Sequence, residues 1–336
     1  MQTLPTTMQA VILQNHGGPE TLAYQTTTTP VAEAGEVLIK VSATGVNFSD
    51  LLRRKNRYFM PTPLPYCLGV EAVGTVVAVG EGISETEGPF ALGSRVLAIL
   101  PHGGGYAEYA KAPAQFCVPL PPHISDEVAT AIFVQGSTAY LLANAMTEAS
   151  GKSVLVHAGA SGLGQILIQL LRLAGASRII GTASTEAKCS AILKAGADAA
   201  VNYSQSDWTA KVLEANHGLK VDVVYEMVGG EIFNQSIDLI ADGGQMIGYG
   251  AASGQQGKIL SERFVDTNLS ITGFNLAYQI MSHPARWQQA LGAVIGMLAE
   301  GALSVYNINT YPLADASTAH QDLEERKLIG KVVLIP

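Results

Sequence analysis

Residues Val154 to Gln165 read VLVHAGASGLGQ, a glycine-bearing turn between an apolar β-branched run and an apolar helical run. A turn of this kind leaves backbone N–H groups free at a helix N-terminus, where they and the helix dipole hold a phosphate. The usual dinucleotide fingerprint is G-x-G-x-x-G. Counted from Gly159 this stretch reads G-A-S-G-L-G, so its glycines fall at other positions. Gly162 and Gly164 still permit close approach of a pyrophosphate and close packing of helix on strand. Ser161 and Leu163 share the turn, and the Ser161 hydroxyl offers a hydrogen bond.

The next apolar run, RIIGTA, ends in STEAK. A site for NAD places Asp or Glu about 20 residues beyond the glycine turn, to bind the ribose 2′-hydroxyl. No acid stands at this strand tip. Ser184 does, with Lys188 and Tyr203 as further donors, and a 2′-phosphate suits these three where a carboxylate would repel it. Lys188 alone would read as a solvated helix charge; the missing acid together with Ser184 points to NADPH. Met227, Val228 and Gly229 in YEMVGG end another strand, and Tyr249 and Gly250 in GYG end the next. That is the side of an open parallel sheet where ligands bind.

The elements that must position these residues follow from the hydrophobic pattern. Up to about residue 125 the chain is β-rich and punctuated by glycine and proline, as in MQAVIL, GEVLIKVSATGV, GVEAVGTVVAVG and GSRVLAIL. Near Asp126 strands begin to alternate with helices, among them QILIQLLRLAG, TEAKCSAILKAG, SDWTAKVLEAN and EIFNQSIDLI. This rhythm implies a parallel sheet with helices on both faces. From about Ile271 the pattern is mixed, and GKVVLIP closes the chain as a strand. The fold class is therefore α/β. A β-rich domain over 1–127 precedes a doubly wound nucleotide domain over 128–268, and a segment over 269–336 rejoins the first.

Composition narrows the function. The 336 residues carry a formal net charge of −8 and no Lys/Arg-rich run, which argues against a nucleic-acid partner. Val128–Thr147 and Ser153–Leu171 lack charged residues but are broken by glycines and polar side chains, so burial and not a membrane is their expected setting. The start of the chain lacks the pattern of a signal peptide. Cys67, Cys117 and Cys189 form neither a disulfide framework nor a metal cluster, which fits a reducing cytoplasm. None has the neighbours of a nucleophile.

The ordered set GVNFSDLL, GVEAVGTVVAVG, GYAEYA, VLVHAGASGLG, GADAAVNY, GYGAASG and IGKVVLIP spans nearly the whole chain. It resembles the zinc-independent quinone oxidoreductase (zeta-crystallin-like) branch of the medium-chain dehydrogenase/reductase superfamily. The resemblance implies a GroES-like catalytic domain, a Rossmann-type domain, an active site in the cleft between them, NADPH as cofactor and a homodimer. The family's loop is A-x-x-G-x-x-G; here Ser161 replaces the middle glycine between Ala158 and Gly164. The opening stretch is thus a variant fingerprint.

Zinc-dependent relatives need thiolate and imidazole donors. By this alignment the cysteine slot holds Asn47, the histidine slot Val70, and the third ligand region offers Val134 and Gln135. Residues 82–110 lack the four cysteines of a structural zinc lobe. No metal is expected, and the lone His102 and His157 read as surface or packing residues. The resemblance places Asn47, Asp50 and Tyr58 at the acceptor side, and Thr138 and Phe274 near the nicotinamide. Asn47 is read as an amide for substrate or nicotinamide ribose, and Tyr58 as a hydroxyl donor. Asp50 reads equally as a helix cap. Several family members carry a second tyrosine where this chain has Leu52.

With hydride supplied by NADPH and no Lewis acid, the expected acceptor is a quinone. A conjugated enone or enoyl compound is the alternative, and a non-catalytic NADPH-binding protein is the alternative of another class. A short-chain dehydrogenase is disfavoured because no Y-x-x-x-K pair occurs in the chain.

Overall fold

The structure, a computed structural model, describes residues 4–336. It divides into two compact units: Gln135–Asn307 form one, and the residues before and after it form the other.

The chain first lays down strands β1 (Thr7–Leu13), β2 (Leu22–Thr28), β3 (Glu36–Val46), β4 (Tyr66–Cys67), β5 (Glu71–Val79), β6 (Arg95–Ile99), β7 (Tyr109–Pro113) and β8 (Cys117–Pro119). Helix α1 (Phe48–Arg54) follows β3, and the short α2 (Asp126–Ala129) follows β8. Strand β1 pairs antiparallel with both β2 and β4. The long apolar β3 lies between β5 and β7, both antiparallel to it, and its side chains Val37, Ile39 and Val41 enter a core with Val76, Val96 and Ala98. Leu51 of α1 packs into a second core with Leu13, Leu68 and Tyr106.

The second unit opens with α3 (Ser137–Asn144) and then alternates: β9 (Ser153–Val156), α4 (Gly162–Leu173), β10 (Arg178–Ala183), α5 (Glu186–Lys194), β11 (Ala199–Asn202), α6 (Trp208–Ala215), β12 (Val221–Glu226), α7 (Gly230–Ile237), β13 (Ile240–Gly248), α8 (Glu262–Thr267) and β14 (Ser270–Gly273). All the sheet's pairings are parallel, in the order β11-β10-β9-β12-β13-β14. Helices α9 (Leu276–Ser282) and α10 (Pro284–Ala299) complete the unit. Strands buried on both faces read as continuous apolar runs, and Leu155, Ile180, Val224 and Met246 are fully buried. Helix α7 ends at Ile237, earlier than the run EIFNQSIDLI implies, because Ile240 already pairs with Val221 as the start of β13.

The chain returns to the first unit with β15 (Ile308–Pro312), α11 (Ala316–Glu324) and β16 (Lys331–Ile335). Strand β16 pairs antiparallel with the end of β3, at Val332 with Val46. The domain boundaries therefore differ from those expected at 127/128 and 268/269. The first crossing lies after Val134, and the return comes only after Asn307. Residues 269–307 belong to the second unit because β14 adds a sixth strand to its sheet beside β13 and α10 packs on α3.

Candidate active site

In the second unit the predicted cofactor residues gather at the carboxyl ends of the parallel strands. Ser184 follows β10, Tyr203 follows β11, Met227–Gly229 follow β12, Tyr249 and Gly250 follow β13, and Phe274 follows β14. Ala183 and Asn202 are register partners, which sets Ser184 and Tyr203 beyond adjacent strand ends, and Lys188 lies in the first turn of α5 beyond them. Thr138 is instead buried within α3. Sequence order runs outward from β9 in one direction and restarts at β12 on its other side, so the crevice beyond these two strands is the topological switch point of the sheet.

The glycine turn fills that crevice. Ser161 is the N-cap of α4, and its hydroxyl oxygen accepts from the Gly164 N–H at 3.0 Å. This explains the serine in a glycine position: the cap satisfies one of the helix's open donors, and its O–H remains available to donate. The Gly162 and Leu163 N–H groups meet no acceptor among the described residues. A side chain at Gly164 would place Cβ 2.4 Å from the Ala158 carbonyl oxygen and 2.7 Å from the Gly159 Cα. Helix and turn thus touch backbone to backbone, and two N–H groups without a protein acceptor stand at a positive dipole end. This arrangement fits a pyrophosphate.

Two buried side chains hold the turn's surroundings. His157, directly after β9, is fully buried between the Thr182 hydroxyl and the Ser236 hydroxyl, each 2.7 Å away. Ser236 donates to the Ile232 carbonyl, so it accepts from His157 Nε2–H, and Nδ1 accepts from Thr182. Burial pushes the imidazole pKa down to about 3, and the ring stays neutral. It ties β9, β10 and α7 together, the packing role expected of it; His102 is exposed. Glu226, buried at the end of β12, accepts from the Val228 and Gly229 N–H groups at 2.7 and 2.9 Å. Burial raises its pKa and these two donors oppose that rise. Gly229 takes φ +78°, a left-handed conformation that favours glycine.

In the first unit Asn47 is the N-cap residue of α1 and is almost fully buried. Its amide belongs to a closed ring. Asn47 Nδ2 donates to Glu71 Oε1 at 2.8 Å, Lys331 Nζ donates to the same oxygen at 2.6 Å, and Lys331 Nζ reaches Asn47 Oδ1 at 3.1 Å. Glu71 and Lys331 are completely buried, and the Val134 N–H donates to Glu71 Oε2 at 3.3 Å. Asn47 therefore has one amide hydrogen left, in a fixed orientation. Asp50 is also fully buried and accepts from the Asn47 N–H at 2.8 Å and the Gly69 N–H at 3.4 Å. Burial drives its pKa up to about 6, with the Glu71 charge adding to the rise and the two N–H donors opposing it. Of its two readings, helix cap is the one its bonds describe. Tyr58 is half-buried with its ring 4.2 Å from the Arg53 guanidinium carbon, and burial raises its phenol pKa.

The Val70 and Val134 side chains have no ligating atom, Asn47 Oδ1 accepts from Lys331, and no group of three His, Cys, Asp or Glu is gathered among the described residues. Cys67 and Cys117 have their thiols pushed up to about 12 by burial, which leaves them protonated.

A β-rich unit that encloses a doubly wound nucleotide unit in the chain is the architecture of medium-chain dehydrogenases and reductases. Residues 33–122 match the alcohol dehydrogenase GroES-like domain, and residues 162–295 match the zinc-binding dehydrogenase family. The chain is 34% identical over 326 residues to quinone oxidoreductase 1 of Escherichia coli (strain K12), covering 96% of this chain and 97% of that protein. It is 32% identical to a 2-haloacrylate reductase from a Burkholderia species, covering 98% and 99% of the two. The crystal structure of Escherichia coli quinone oxidoreductase complexed with NADPH superposes with a TM-score of 0.88 at 32% identity, covering 98% of this chain and 100% of that one. This protein belongs to the quinone-oxidoreductase-like branch of the medium-chain dehydrogenase/reductase superfamily.

Sequence reasoning assigned no role to Glu71, Lys331 or Arg53. The first two carry a signal: each is a lone charge inside an apolar strand, in GVEAVG and GKVVLIP, and a charge buried in a sheet needs a partner.

Proposed function

We propose that this protein is an NADPH-dependent quinone oxidoreductase that works without metal or flavin. The observation that carries this reading is the Asn47–Glu71–Lys331 ring, which puts a fixed cation and an oriented amide at the position aligned with zinc ligation in relatives. Bound NADPH supplies hydride. The chain's residues do the rest: Gly162 and Leu163 hold the pyrophosphate through N–H groups, and Ser184, Lys188 and Tyr203 take the 2′-phosphate. Met227–Gly229, Tyr249, Gly250, Thr138 and Phe274 supply the walls along the adenosine and nicotinamide. Asn47 offers its remaining amide hydrogen, and Tyr58 its hydroxyl, to the acceptor oxygen on which negative charge develops. Asp50 acts through the backbone by fixing the start of α1.

Reduction of a conjugated alkene is the second reading, supported by the likeness to the 2-haloacrylate reductase. Anaerobic NADPH oxidation with EDTA present, comparing a small quinone with a conjugated enone and identifying the products, separates the two. Hydroquinone or semiquinone formation is the expected result; turnover of the enone alone assigns alkene reduction, and silence with both despite NADPH binding leaves either a different acceptor or a binding protein. The chain acts as a cytoplasmic homodimer. Its edge strand β14 and the exposed Leu260, Val265 and Met281 support self-association, and no described helix is long and apolar enough to cross a membrane. Light scattering reads the oligomeric state.

A further inference from the structure

Three cations in the first unit are buried: Arg53, Arg54 and Lys331. Arg54 pairs with Glu324 and Lys331 with Glu71. Arg53 makes no ion pair among the described residues, although its side chain lies at 4% exposure. Its guanidinium carbon sits 4.2 Å from the centre of the Tyr58 ring and 5.7 Å from that of Tyr66. Its Nε is buried with no hydrogen-bond partner, and so is the hydroxyl of Tyr66. Cation–π contacts return less than the burial of an unpaired charge costs, so this arrangement is short of an anion.

The place of the deficit matters. Arg53 stands one turn beyond Asp50 and two beyond Asn47 on α1, and it stacks directly on Tyr58. It therefore adjoins the residues to which the acceptor is assigned. A guanidinium presents donors in a planar fork that matches the two oxygens of a carboxylate, and the tyrosine hydroxyls add further donors. Phe59 and Met60, next to Tyr58, are exposed apolar side chains. This combination suits a molecule with an apolar conjugated body and one acid group.

We propose that Arg53, with Tyr58 and Tyr66, forms a carboxylate subsite, and that the acceptors of this protein are conjugated compounds bearing a carboxylate. The inference rests on the reductase reading above and deepens it. The test pairs 1,4-naphthoquinone-2-carboxylate with its methyl ester and reads the acid-to-ester ratio of kcat/KM, which cancels effects common to both. Arg53→Met lowers that ratio roughly 10- to 100-fold, the loss expected for a charge-assisted hydrogen-bonded contact, and Arg53→Lys restores part of it. A ratio within about threefold of wild type in Arg53→Met overturns the subsite. Calorimetric titration with benzoate needs no turnover: benzoate binds the wild-type protein more tightly than benzamide, and Arg53→Met removes that preference. Equal binding of benzoate and benzamide by the wild type overturns the proposal however the variants fold. Failure of the wild type to oxidise NADPH with either the acid or the ester, with the benzoate preference intact, counts against the reductase reading alone.

Discussion

Replacing Lys331 by methionine tests the buried ring most directly. The substitution keeps an unbranched chain of similar length but removes the ammonium that reaches Glu71 Oε1 at 2.6 Å and Asn47 Oδ1 at 3.1 Å. Glu71 then stays fully buried with the Asn47 amide and the Val134 N–H as its remaining donors. Breaking a buried ion pair from one side costs about 3–5 kcal/mol, whereas exchanging both partners for neutral groups is often close to neutral. Lys331→Met is therefore expected to destabilise the protein by about 3–5 kcal/mol, and adding Glu71→Gln should recover about half of that or more. Guanidinium unfolding followed by circular dichroism reads both numbers. Freed from Lys331, the Asn47 amide loses its fixed orientation, so kcat should fall roughly tenfold or more. The affinity for NADPH, measured by fluorescence titration, should hold to within about twofold, because the glycine turn belongs to the other unit. A single variant within about 1 kcal/mol of wild type, or a double variant no more stable than the single one, would refute this account.

Gly164→Ala should weaken NADPH binding about tenfold or more, since its Cβ would lie 2.4 Å from the Ala158 carbonyl oxygen and the turn must open; calorimetry checks this, and unchanged affinity removes the close-packing argument. Lys188→Ala should cost NADPH roughly tenfold in Kd and leave NADH nearly untouched; an unchanged preference between the cofactors dismisses the 2′-phosphate assignment. Acid stability follows from three buried groups. His157 and His320, each pushed down to about 3, contribute stability that is present above pH 6.5 and lost as pH falls toward 3. Asp50, raised from 3.8 to about 6, contributes stability that is present below pH 3.8 and lost as pH rises through 6. Between pH 6 and 4 the unfolded chain then binds two protons on the histidines and the native chain one on Asp50, so these three groups together lower stability by about 1.4 kcal/mol per pH unit as pH falls. Asp50→Asn should steepen the wild-type fall by about 1.4 kcal/mol per pH unit and His320→Gln should flatten it by about as much; equal slopes in all three proteins would contradict the assignment.

The nucleotide half of the site was legible because its signal is local. A strand, a glycine turn and a helix follow one another within Ser153–Leu173, and the strand ends at Ala183, Asn202, Glu226 and Gly248 recur at the period that a parallel sheet demands. Ser161 was readable as part of the turn, but its use as an N-cap depends on the backbone angle there. The acceptor half was less legible because its bonds are remote in sequence. Lys331 meets Glu71 across 260 positions, and only the pairing of β16 with β3 brings the end of the chain beside Asn47. The second domain boundary was misplaced for a related reason. SITG is a short, polar run, and nothing within it tells that it closes a sheet begun over a hundred residues earlier.

These two halves also differ in how charge is handled. In the second unit the open donors at the start of α4 are neutral N–H groups, and the buried acid, Glu226, is spent on the Val228 and Gly229 N–H groups. In the first unit a buried carboxylate must be balanced by a cation whatever else the site does. Here the balancing charge for Glu71 comes from Lys331, which is itself completely buried. A cysteine at 47 would set a thiol within reach of the Lys331 ammonium, which favours its thiolate by ion pairing and competes with any divalent cation for it. Building a metal site at Asn47 would therefore require removing Lys331 as well as adding ligands.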